Sequence, residues 1–270
     1  MEFINMHDSQ LPKLGLGTWA LRGENCRDAV LSALDIGYRH IDTAQMYRNE
    51  DYIGKALQQT DVSRDEIFLT TKIMQSNLHY DNVLSSFRRS LDQLQTEYVD
   101  LLLIHWPNPG VPITETINAM NTLQSEGLVS HIGVSNFSVQ QTEEAIEASE
   151  TPILTNQVRY DPFHDKENML EFCVNTDLML TAYSPLAKGR ATKNSILSGI
   201  GDKYDKSAAQ VTLRWLTQQN NVSAIPKSGD PEHQRENFEI FDFQLTPEEM
   251  EKIFELHGGV MSRIRSVIGI

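Results

Sequence analysis

Cysteine is scarce in this chain of 270 residues, which contains only Cys26 and Cys173. The two lie in separate helix patterns without the spacing of metal ligands, so neither a disulfide framework nor a metal site is expected. Long apolar runs are missing too, because no uninterrupted stretch approaches the roughly 20 residues of a membrane span. The N-terminal sequence MEFINMHDSQ lacks the basic and apolar regions of a secretion signal. We therefore expect a cytoplasmic protein without a membrane partner.

Positive charge is also in short supply, and the formal net charge is −14 at pH 7. Nucleic-acid surfaces need clustered Lys and Arg, and no basic stripe occurs, so nucleic acid is not an expected partner. No GxGxxG or GxxxxGK[ST] run is present where a Rossmann or P-loop site needs one. A dinucleotide would therefore have to be held by side chains and loops.

The chain does contain a regular alternation of short apolar strand patterns with amphipathic helix patterns. Such alternation implies parallel strands joined by right-handed crossovers, and eight repeats favour an α/β fold of the (β/α)8 TIM-barrel class. No linker or charge run marks a boundary, so residues 1–270 are expected to form a single barrel domain. The predicted strands are 14–18, 38–43, 66–72, 98–105, 130–136, 154–160, 178–185 and 222–228.

Three additions to the regular barrel are predicted. The first 13 residues, with a turn at His7-Asp8-Ser9, favour a short N-terminal hairpin that caps the barrel floor. After the seventh strand, 36 residues precede the eighth, which is enough for the flexible segment LAKGRATK and two helices. A C-terminal helix over 247–256 is capped by Thr246 and leaves a tail, HGGVMSRIRSVIGI, that is expected to fold over the barrel mouth.

Four ionisable residues lie at or just after the ends of successive strand patterns. Asp42 is near the end of YRHIDT and Tyr47 follows five residues later, while Lys72 ends EIFLTTK and His105 ends YVDLLLIH. The C-terminal ends of parallel barrel strands meet at one mouth, where ionisable residues are typical of catalysis. Singly, each has a simpler interpretation as a helix cap or a packed side chain. Together they predict an active site.

The segments that flank these residues resemble a known family. The chain is similar to the aldo-keto reductases over nearly its whole length, and within them to prokaryotic reductases of the 2,5-diketogluconate or methylglyoxal type. The segments that carry the resemblance are LPKLGLGTW, GYRHIDTAQMYRNE, LTTKI, DLLLIHWP, GLVSHIGVSNF, NQVRYDP, TAYSPLAKG, IPKS and ENFEIFDFQLT.

The resemblance implies an enzyme that reduces aldehydes and ketones with NADPH and without a metal. Tyr47 would be the proton donor, and Asp42, Lys72 and His105 would complete a tetrad. The chemistry needs these residue types, because hydride addition leaves negative charge on the carbonyl oxygen. We expect Lys72, held by Asp42, to lower the pKa of Tyr47 from its usual value of about 10. A neutral His105 is expected to orient the carbonyl group.

The resemblance also assigns a cofactor site. Ser135, Asn136 and Gln157 match positions that bind the nicotinamide carboxamide, and Tyr183 matches the aromatic residue on which the nicotinamide ring stacks. Further matching positions belong to the loop over the pyrophosphate (Ser184, Leu186, Lys188), the 2′-phosphate site (Lys227, Ser228) and the adenine end (Glu236, Asn237).

One cofactor position departs from the family pattern. Six residues after Lys227, NADPH-specific relatives commonly carry an Arg that contacts adenine and the 2′-phosphate, and this chain has His233. Arg235 lies on a different helix face if this segment is helical. We therefore expect a reduced preference for NADPH and measurable use of NADH, because an imidazole mostly neutral at pH 7 replaces a permanently charged guanidinium.

Aromatic residues are the best candidates for substrate contacts. Trp19 and Trp106 follow strands that end at the mouth and match family positions that form apolar pocket walls. Trp215 lies in an amphipathic helix pattern and is expected in the core. Core filling is also the stronger interpretation for Met46 and Met74, although both are adjacent to catalytic positions.

The sequence leaves open the choice of substrate and two other functions. The loops 20–25 and 107–114 and the tail from His257 would select the carbonyl substrate. Arg263 and Arg265 would attract a carboxylated substrate, although exposed tail arginines are more often only solvated. A nicotinamide-binding redox sensor or regulatory subunit would use the same barrel and could retain the tetrad. A barrel aldolase or isomerase would use Lys72 as a Schiff-base amine with a lowered pKa, whereas Asp42 is expected to raise that pKa. A monomer is the family-based expectation.

Overall fold

The structure, a computed structural model, describes residues 1–7 and 9–258. Asp8 and the tail after Gly258 lie outside the described residues. The predictions that the tail covers the mouth and that Arg263 and Arg265 contact substrate therefore stay predictions. No helix in the described ranges is both long and apolar enough to cross a lipid bilayer.

The chain begins with an antiparallel hairpin, as predicted. Its strands are β1, Phe3–Met6, and β2, Ser9–Pro12. Ile4, Met6 and Leu11 are buried and pack against apolar side chains of the barrel floor, which are Leu101, Leu103, Leu154 and Met179. The hairpin therefore covers the end of the barrel opposite to the mouth.

Eight parallel strands lie side by side in chain order and form the barrel wall. Backbone hydrogen bonds join the first to the last, with Gly15 N donating to the Ala224 carbonyl at 2.9 Å and Gly17 N to the Pro226 carbonyl at 3.0 Å. Gly17 is needed at this seam, because a Cβ there would lie 2.7 Å from the Ile225 carbonyl oxygen. The predicted (β/α)8 barrel is confirmed. The strands are β3 Leu16–Gly17, β4 His40–Asp42, β5 Phe68–Ile73, β6 Val99–Ile104, β7 Val129–Ser135, β8 Ile153–Arg159, β9 Met179–Tyr183 and β10 Val222–Ile225.

Helices follow the strands and pack their apolar faces on the outside of the barrel. The first has Gly37 (φ 118°) as its C-cap, because glycine adopts this left-handed conformation without strain. Trp215 is fully buried between Tyr160 and Phe254, which confirms its core assignment. The α-helices of the described residues are α1 Gly23–Ile36, α2 Glu50–Gln59, α3 Tyr80–Leu94, α4 Ile113–Ser125, α5 Val139–Ala148, α6 Glu167–Asn175, α7 Ser195–Gly201, α8 Ala208–Gln218, α9 Pro231–Phe238 and α10 Pro247–Phe254.

Several predicted elements were too long at their C-terminal ends. The eighth strand ends at Ile225 rather than 228, because the next residue, Pro226, has no amide hydrogen for the sheet. The seventh ends at Tyr183 rather than 185, because Ser184 has the left-handed φ of 51°. The last helix ends at Phe254 and continues as a 3-10 turn, Glu255–His257, while its predicted capping box on Thr246 is present.

The barrel interior below the mouth is lined by polar side chains that bond to one another. Thr181 Oγ1 lies 2.9 Å from Thr155 Oγ1 and accepts from Ser223 Oγ at 3.1 Å, and His40 Nε2 lies 3.1 Å from Thr70 Oγ1. Burial lowers the pKa of His40 to about 4, so the ring is neutral at pH 7. Side chains two positions apart on a strand face the same side of the sheet. The residues two positions after His40, Thr70, Thr155 and Thr181 are Asp42, Lys72, Gln157 and Tyr183, so these four side chains also face the barrel interior, nearer the mouth.

Candidate active site

A buried ion pair lies at the centre of the mouth. Lys72 Nζ on β5 donates to Asp42 Oδ1 on β4 at 2.6 Å and to the Thr43 carbonyl at 2.8 Å. The two charged side chains are 0% and 1% exposed, so each charge depends on these partners. Burial lowers the pKa of Lys72 although the Asp42 carboxylate opposes the shift. Asp42 raises this pKa, as expected, but burial outweighs its effect and the net shift is downward.

Tyr47 lies beside the ion pair on a short 3-10 helix, Gln45–Tyr47. Its ring centroid is 5.1 Å from Lys72 Nζ, and the residue is 8% exposed. Burial is the largest cause that raises the pKa of this hydroxyl, and the negative charge of Asp42 adds to it. The expected net lowering of the Tyr47 pKa was wrong, because burial of the hydroxyl raises it. The phenol is therefore protonated at neutral pH.

His105 faces Tyr47 across the mouth. The ring centroids are 5.6 Å apart and the rings meet at 78°. Burial, followed by the charge of Lys72, lowers the pKa of His105 to about 3, which agrees with the neutral imidazole that we expected. Nδ1 is buried and has no hydrogen-bond partner within the described ranges. No described protein group at Nδ1 therefore selects which of the two ring nitrogens carries the proton.

The residues predicted to bind a carboxamide lie together at the ends of β7 and β8. Ser135 Oγ donates to the Gln157 carbonyl at 2.8 Å, and Asn136 Nδ2 donates to Ser135 Oγ and to the His105 carbonyl, both at 3.0 Å. Asn136 has a φ of 62°, a conformation that Asn tolerates better than most residues. Tyr183 donates its hydroxyl hydrogen to Asn136 Oδ1 at 2.9 Å, which fixes the ring at the edge of the cavity.

Gln157 also contacts the tetrad, which the sequence did not indicate. Its Nε2 donates to Asp42 Oδ2 at 2.7 Å. Since Lys72 donates to Oδ1, each oxygen of the buried carboxylate has a donor of its own. The predicted cofactor residues and the predicted tetrad therefore form one hydrogen-bonded network.

The tetrad opens into a cavity of about 250 Å³. Trp19 and Trp106 are 55% and 44% exposed at its rim, which is where the substrate prediction places them. Met46 is 45% exposed and lines the same cavity, so its interpretation as core filler was wrong. The lining residues are Gly17, Trp19, Asp42, Met46, Tyr47, His105, Trp106, Ser135, Asn136, Tyr183, Ser184, Lys188, Ile225 and Lys227.

Two lysines bring positive charge to the rim of this acidic protein. Lys188 and Lys227 are exposed, and both line the cavity, as does Ser184. Leu186, predicted in the same loop as Ser184, instead packs against the hydrophobic core. The predicted flexible loop contains two short 3-10 turns, Ala187–Gly189 and Ala191–Lys193.

The predicted adenosine residues other than Lys227 lie just before α9 and along it, outside the residues that line the cavity. Ser228 Oγ donates to the Asp230 carbonyl and accepts from its amide, each at 3.1 Å. His233 and Arg235 are both exposed, and two positions along a helix place them on different faces, as predicted. Glu236 is partly exposed, whereas Asn237 is only 5% exposed and offers little surface to a ligand.

Two acidic residues near these sites were missed. Asp230 caps α9 by accepting from the amides of Glu232 and His233, and its place before Pro231 is an N-cap signature that could have revealed it. Glu50 on α2 is 3% exposed and accepts from Thr71 Oγ1 at 2.6 Å, on the outer side of the strand that carries Lys72. Burial raises the pKa of Glu50. No sequence signal indicates that this carboxylate is buried.

Comparison with known proteins identifies the family. The model of the Aldo/keto reductase family matches residues 13–257. This chain belongs to the aldo-keto reductases. It is 39% identical to a 9,11-endoperoxide prostaglandin H2 reductase of Trypanosoma cruzi strain CL Brener, over 94% of this chain and 91% of that protein. It is 37% identical to a glyoxal reductase of Bacillus subtilis strain 168, over 94% and 92%.

A solved structure agrees with both the fold and the family. The chain superposes on a putative 2,5-diketo-D-gluconic acid reductase B with a TM-score of 0.93 and 42% identity, over 95% of this chain and 91% of that one. The predicted family, and the likeness to diketogluconate-type reductases, are thereby confirmed. As an aldo-keto reductase, the protein is an oxidoreductase that acts on carbonyl compounds and uses a nicotinamide cofactor.

Proposed function

We propose that this aldo-keto reductase reduces small aldehydes and ketones to alcohols with NADPH, and that Tyr47 donates the proton. The observation that supports this most is the convergence of Tyr47, His105 and the buried Lys72–Asp42 pair on one cavity walled by tryptophan side chains. We further propose that the chain acts as a cytoplasmic monomer with a single domain over residues 1–270.

The tetrad residues have distinct tasks in this mechanism. A bound nicotinamide supplies the hydride that reaches the carbonyl carbon. His105, neutral because burial lowers its pKa to about 3, donates a hydrogen bond that orients the carbonyl oxygen. Tyr47 is protonated and gives its proton to that oxygen as negative charge develops, since an alkoxide is more basic than a phenolate. Lys72 then stabilises the phenolate that remains.

The residues present fit a nicotinamide dinucleotide. Asn136 and Gln157 offer amide groups, which match the donor and acceptor of a carboxamide, and the Tyr183 ring lies at the cavity edge for stacking. Lys188 and Lys227 supply the local positive charge that an anionic cofactor requires in a chain of net charge −14. Ser184, Leu186, Ser228, His233, Glu236 and Asn237 stay assigned to the cofactor, although the Leu186 side chain packs against the hydrophobic core.

The cavity favours a small substrate. A space of about 250 Å³ with exposed Trp19, Trp106 and Met46 at its rim presents apolar walls around the tetrad. Relatives of this chain include the glyoxal reductase of B. subtilis and the putative diketogluconate reductase. We therefore propose short dicarbonyl compounds, including methylglyoxal, as the first substrates to assay.

Steady-state NADPH oxidation with glyoxal, methylglyoxal and 2,5-diketo-D-gluconate tests the proposal directly. Wild-type enzyme should turn over at least one of them, and Tyr47→Phe should not. Tyr80→Phe is the matched control, since that hydroxyl lies 2.9 Å from Thr122 Oγ1 on the outside of the barrel. NADPH binding without turnover of any carbonyl would instead favour the redox sensor or regulatory subunit.

The same experiment can be extended to the aldolase alternative. Lys72 is fully buried and its Nζ already bonds to Asp42 and to the Thr43 carbonyl, so a Schiff base would have to break both contacts. Borohydride should therefore trap no substrate on this lysine. A trapped adduct at Lys72, found by peptide mass analysis, would overturn the tetrad assignment.

A further inference from the structure

Three side chains with metal-ligand chemistry lie close together outside the active site. Asp165 and Glu167 lie at the start of α6, and His257 ends the 3-10 turn that follows α10. One ligand atom of each lies within 4.8 Å of the other two. We propose that Asp165, Glu167 and His257 bind one divalent transition-metal ion of the zinc type, at a site separate from catalysis.

Buried atoms without partners support this assignment. Oε1 of Glu167 and both ring nitrogens of His257 are buried and have no hydrogen-bond partner in the part of the chain that the structure describes. An imidazole carries at least one N–H and a carboxylate oxygen is a strong acceptor, so buried groups of both kinds are normally paired. Here an acid and an imidazole lie close together and do not bond to each other. A cation between them gives each its missing partner.

Contacts around the cluster restrain its shape. The backbone amide of Glu167 donates to Asp165 Oδ1 at 2.8 Å, which holds the Asp165 carboxylate at the start of α6. The His257 ring meets Phe254 with centroids 6.0 Å apart, and Phe254 in turn packs against the buried Trp215. The Asp165 carboxylate is therefore fixed by the helix start, and the imidazole is braced by the core.

The donor set determines which ion fits. One imidazole nitrogen and two carboxylate oxygens suit Zn²⁺ and similar transition metals, whereas Mg²⁺ and Ca²⁺ prefer shells made of oxygen alone. Zinc lies about 2.0–2.2 Å from such ligands, so ligand atoms at the corners of a tetrahedron are roughly 3.3–3.6 Å apart. The three ligand atoms lie within 4.8 Å of one another, so side-chain rotations would bring them onto one ion, and water would complete the tetrahedron.

The position of the site predicts what the ion does. It joins the segment before α6 to the end of α10, neither of which carries a tetrad residue. We expect zinc to raise the melting temperature of the protein by fixing the end of α10 on the barrel, and to leave turnover unchanged. A failure of zinc binding and a failure of carbonyl reduction are thus separate results.

Zinc binding to the full chain tests the site. After treatment with chelator and gel filtration, titration with zinc chloride should show one ion per chain by calorimetry, and Co²⁺ should give the visible absorption of a four-coordinate site. Glu167→Gln and His257→Gln should each weaken binding by at least the roughly 10–100-fold seen when even outer-shell partners are lost. His79→Gln, which removes an exposed histidine paired with Glu115, should bind zinc as the wild type does.

Four results would overturn the proposal. Zinc binding could fail to saturate at one ion per chain, or both ligand variants could bind zinc as tightly as the wild type. His79→Gln could lose as much affinity as the ligand variants, which would mean adventitious surface binding. The fourth is a direct Glu167–His257 ion pair. In that case both ligand variants lower the melting temperature of the metal-free protein, and added zinc changes nothing.

Discussion

The side-chain nitrogen of Gln157 lies 2.7 Å from Oδ2 of Asp42, the carboxylate oxygen that Lys72 does not contact. The backbone carbonyl of Gln157 accepts from the backbone amide of Asn136 at 3.0 Å and from Ser135 Oγ at 2.8 Å. A ligand that reorients the Gln157 amide would therefore change the hydrogen bonding of the buried ion pair. Gln157 couples the cofactor residues to the tetrad.

Replacing Gln157 by Leu should destabilise the protein even without cofactor. The variant leaves Asp42 Oδ2 buried without its donor, which costs about 1–3 kcal/mol of unfolding free energy. Urea unfolding of wild type, Gln157→Leu, Asp42→Asn and the double variant would measure the coupling between the two side chains. An unchanged stability combined with weaker cofactor binding would assign Gln157 to the carboxamide alone.

Replacing Tyr47 by Phe should abolish proton donation while cofactor binding survives. Only the hydroxyl is removed, so kcat for carbonyl reduction should fall by about 10²–10⁴-fold, the usual scale of general acid catalysis. Lys72→Met should be comparably damaging and Asp42→Asn milder, because the ammonium stays but loses its anion. Initial rates and cofactor Kd values give the ranking, and a dominant Asp42 would mean that the roles are misassigned.

Stability should fall as the pH drops below about 6.5, because buried neutral His40 must be protonated on unfolding. Its pKa is about 4 in the folded protein and about 6.5 in an unfolded chain, so the unfolded state binds more protons across that window. The loss from this group is on the order of 3 kcal/mol across the full window. His40→Gln should flatten the dependence of unfolding free energy on pH. Equal slopes in wild type and variant would contradict this origin.

NADPH should be preferred over NADH by a reduced margin. Loss of one charge-assisted hydrogen bond at His233 costs roughly 1.5–3 kcal/mol, or about one to two powers of ten in affinity. The Kd values of both cofactors for wild type, His233→Arg and Arg235→Ala provide the check. If Arg235→Ala weakens NADPH binding and His233→Arg leaves the Kd unchanged, then Arg235 rather than His233 holds the 2′-phosphate.

Exhaustive chelation should leave carbonyl reduction intact. Tyr47, with its neighbours Lys72 and His105, supplies proton transfer and charge stabilisation, and the proposed zinc site shares no residue with them. Turnover before and after chelator treatment, measured at a temperature well below the melting point, gives the answer. Activity that is lost with chelator and restored by zinc would refute this mechanism.

The fold and most of the tetrad could be predicted because their signals are local. Alternating strand and helix patterns and the Thr246 cap depend on residues a few positions apart, so distant contacts are not needed to predict them. Parallel strands in chain order then bring Asp42, Lys72 and His105 to one mouth. The resemblance to the family added the positions expected to bind the nicotinamide ring and the phosphates of the cofactor.

Only the tertiary structure decided the properties that depend on burial and on distant contacts. The Gln157–Asp42 bond joins residues 115 positions apart across the barrel, and no spacing rule relates them. Burial makes the Tyr47 pKa rise where a nearby lysine alone would lower it, and it places the Glu50 carboxylate inside the protein although its segment is polar. Desolvation is set by everything that packs around a group, so it cannot be read from the residues beside it in the chain.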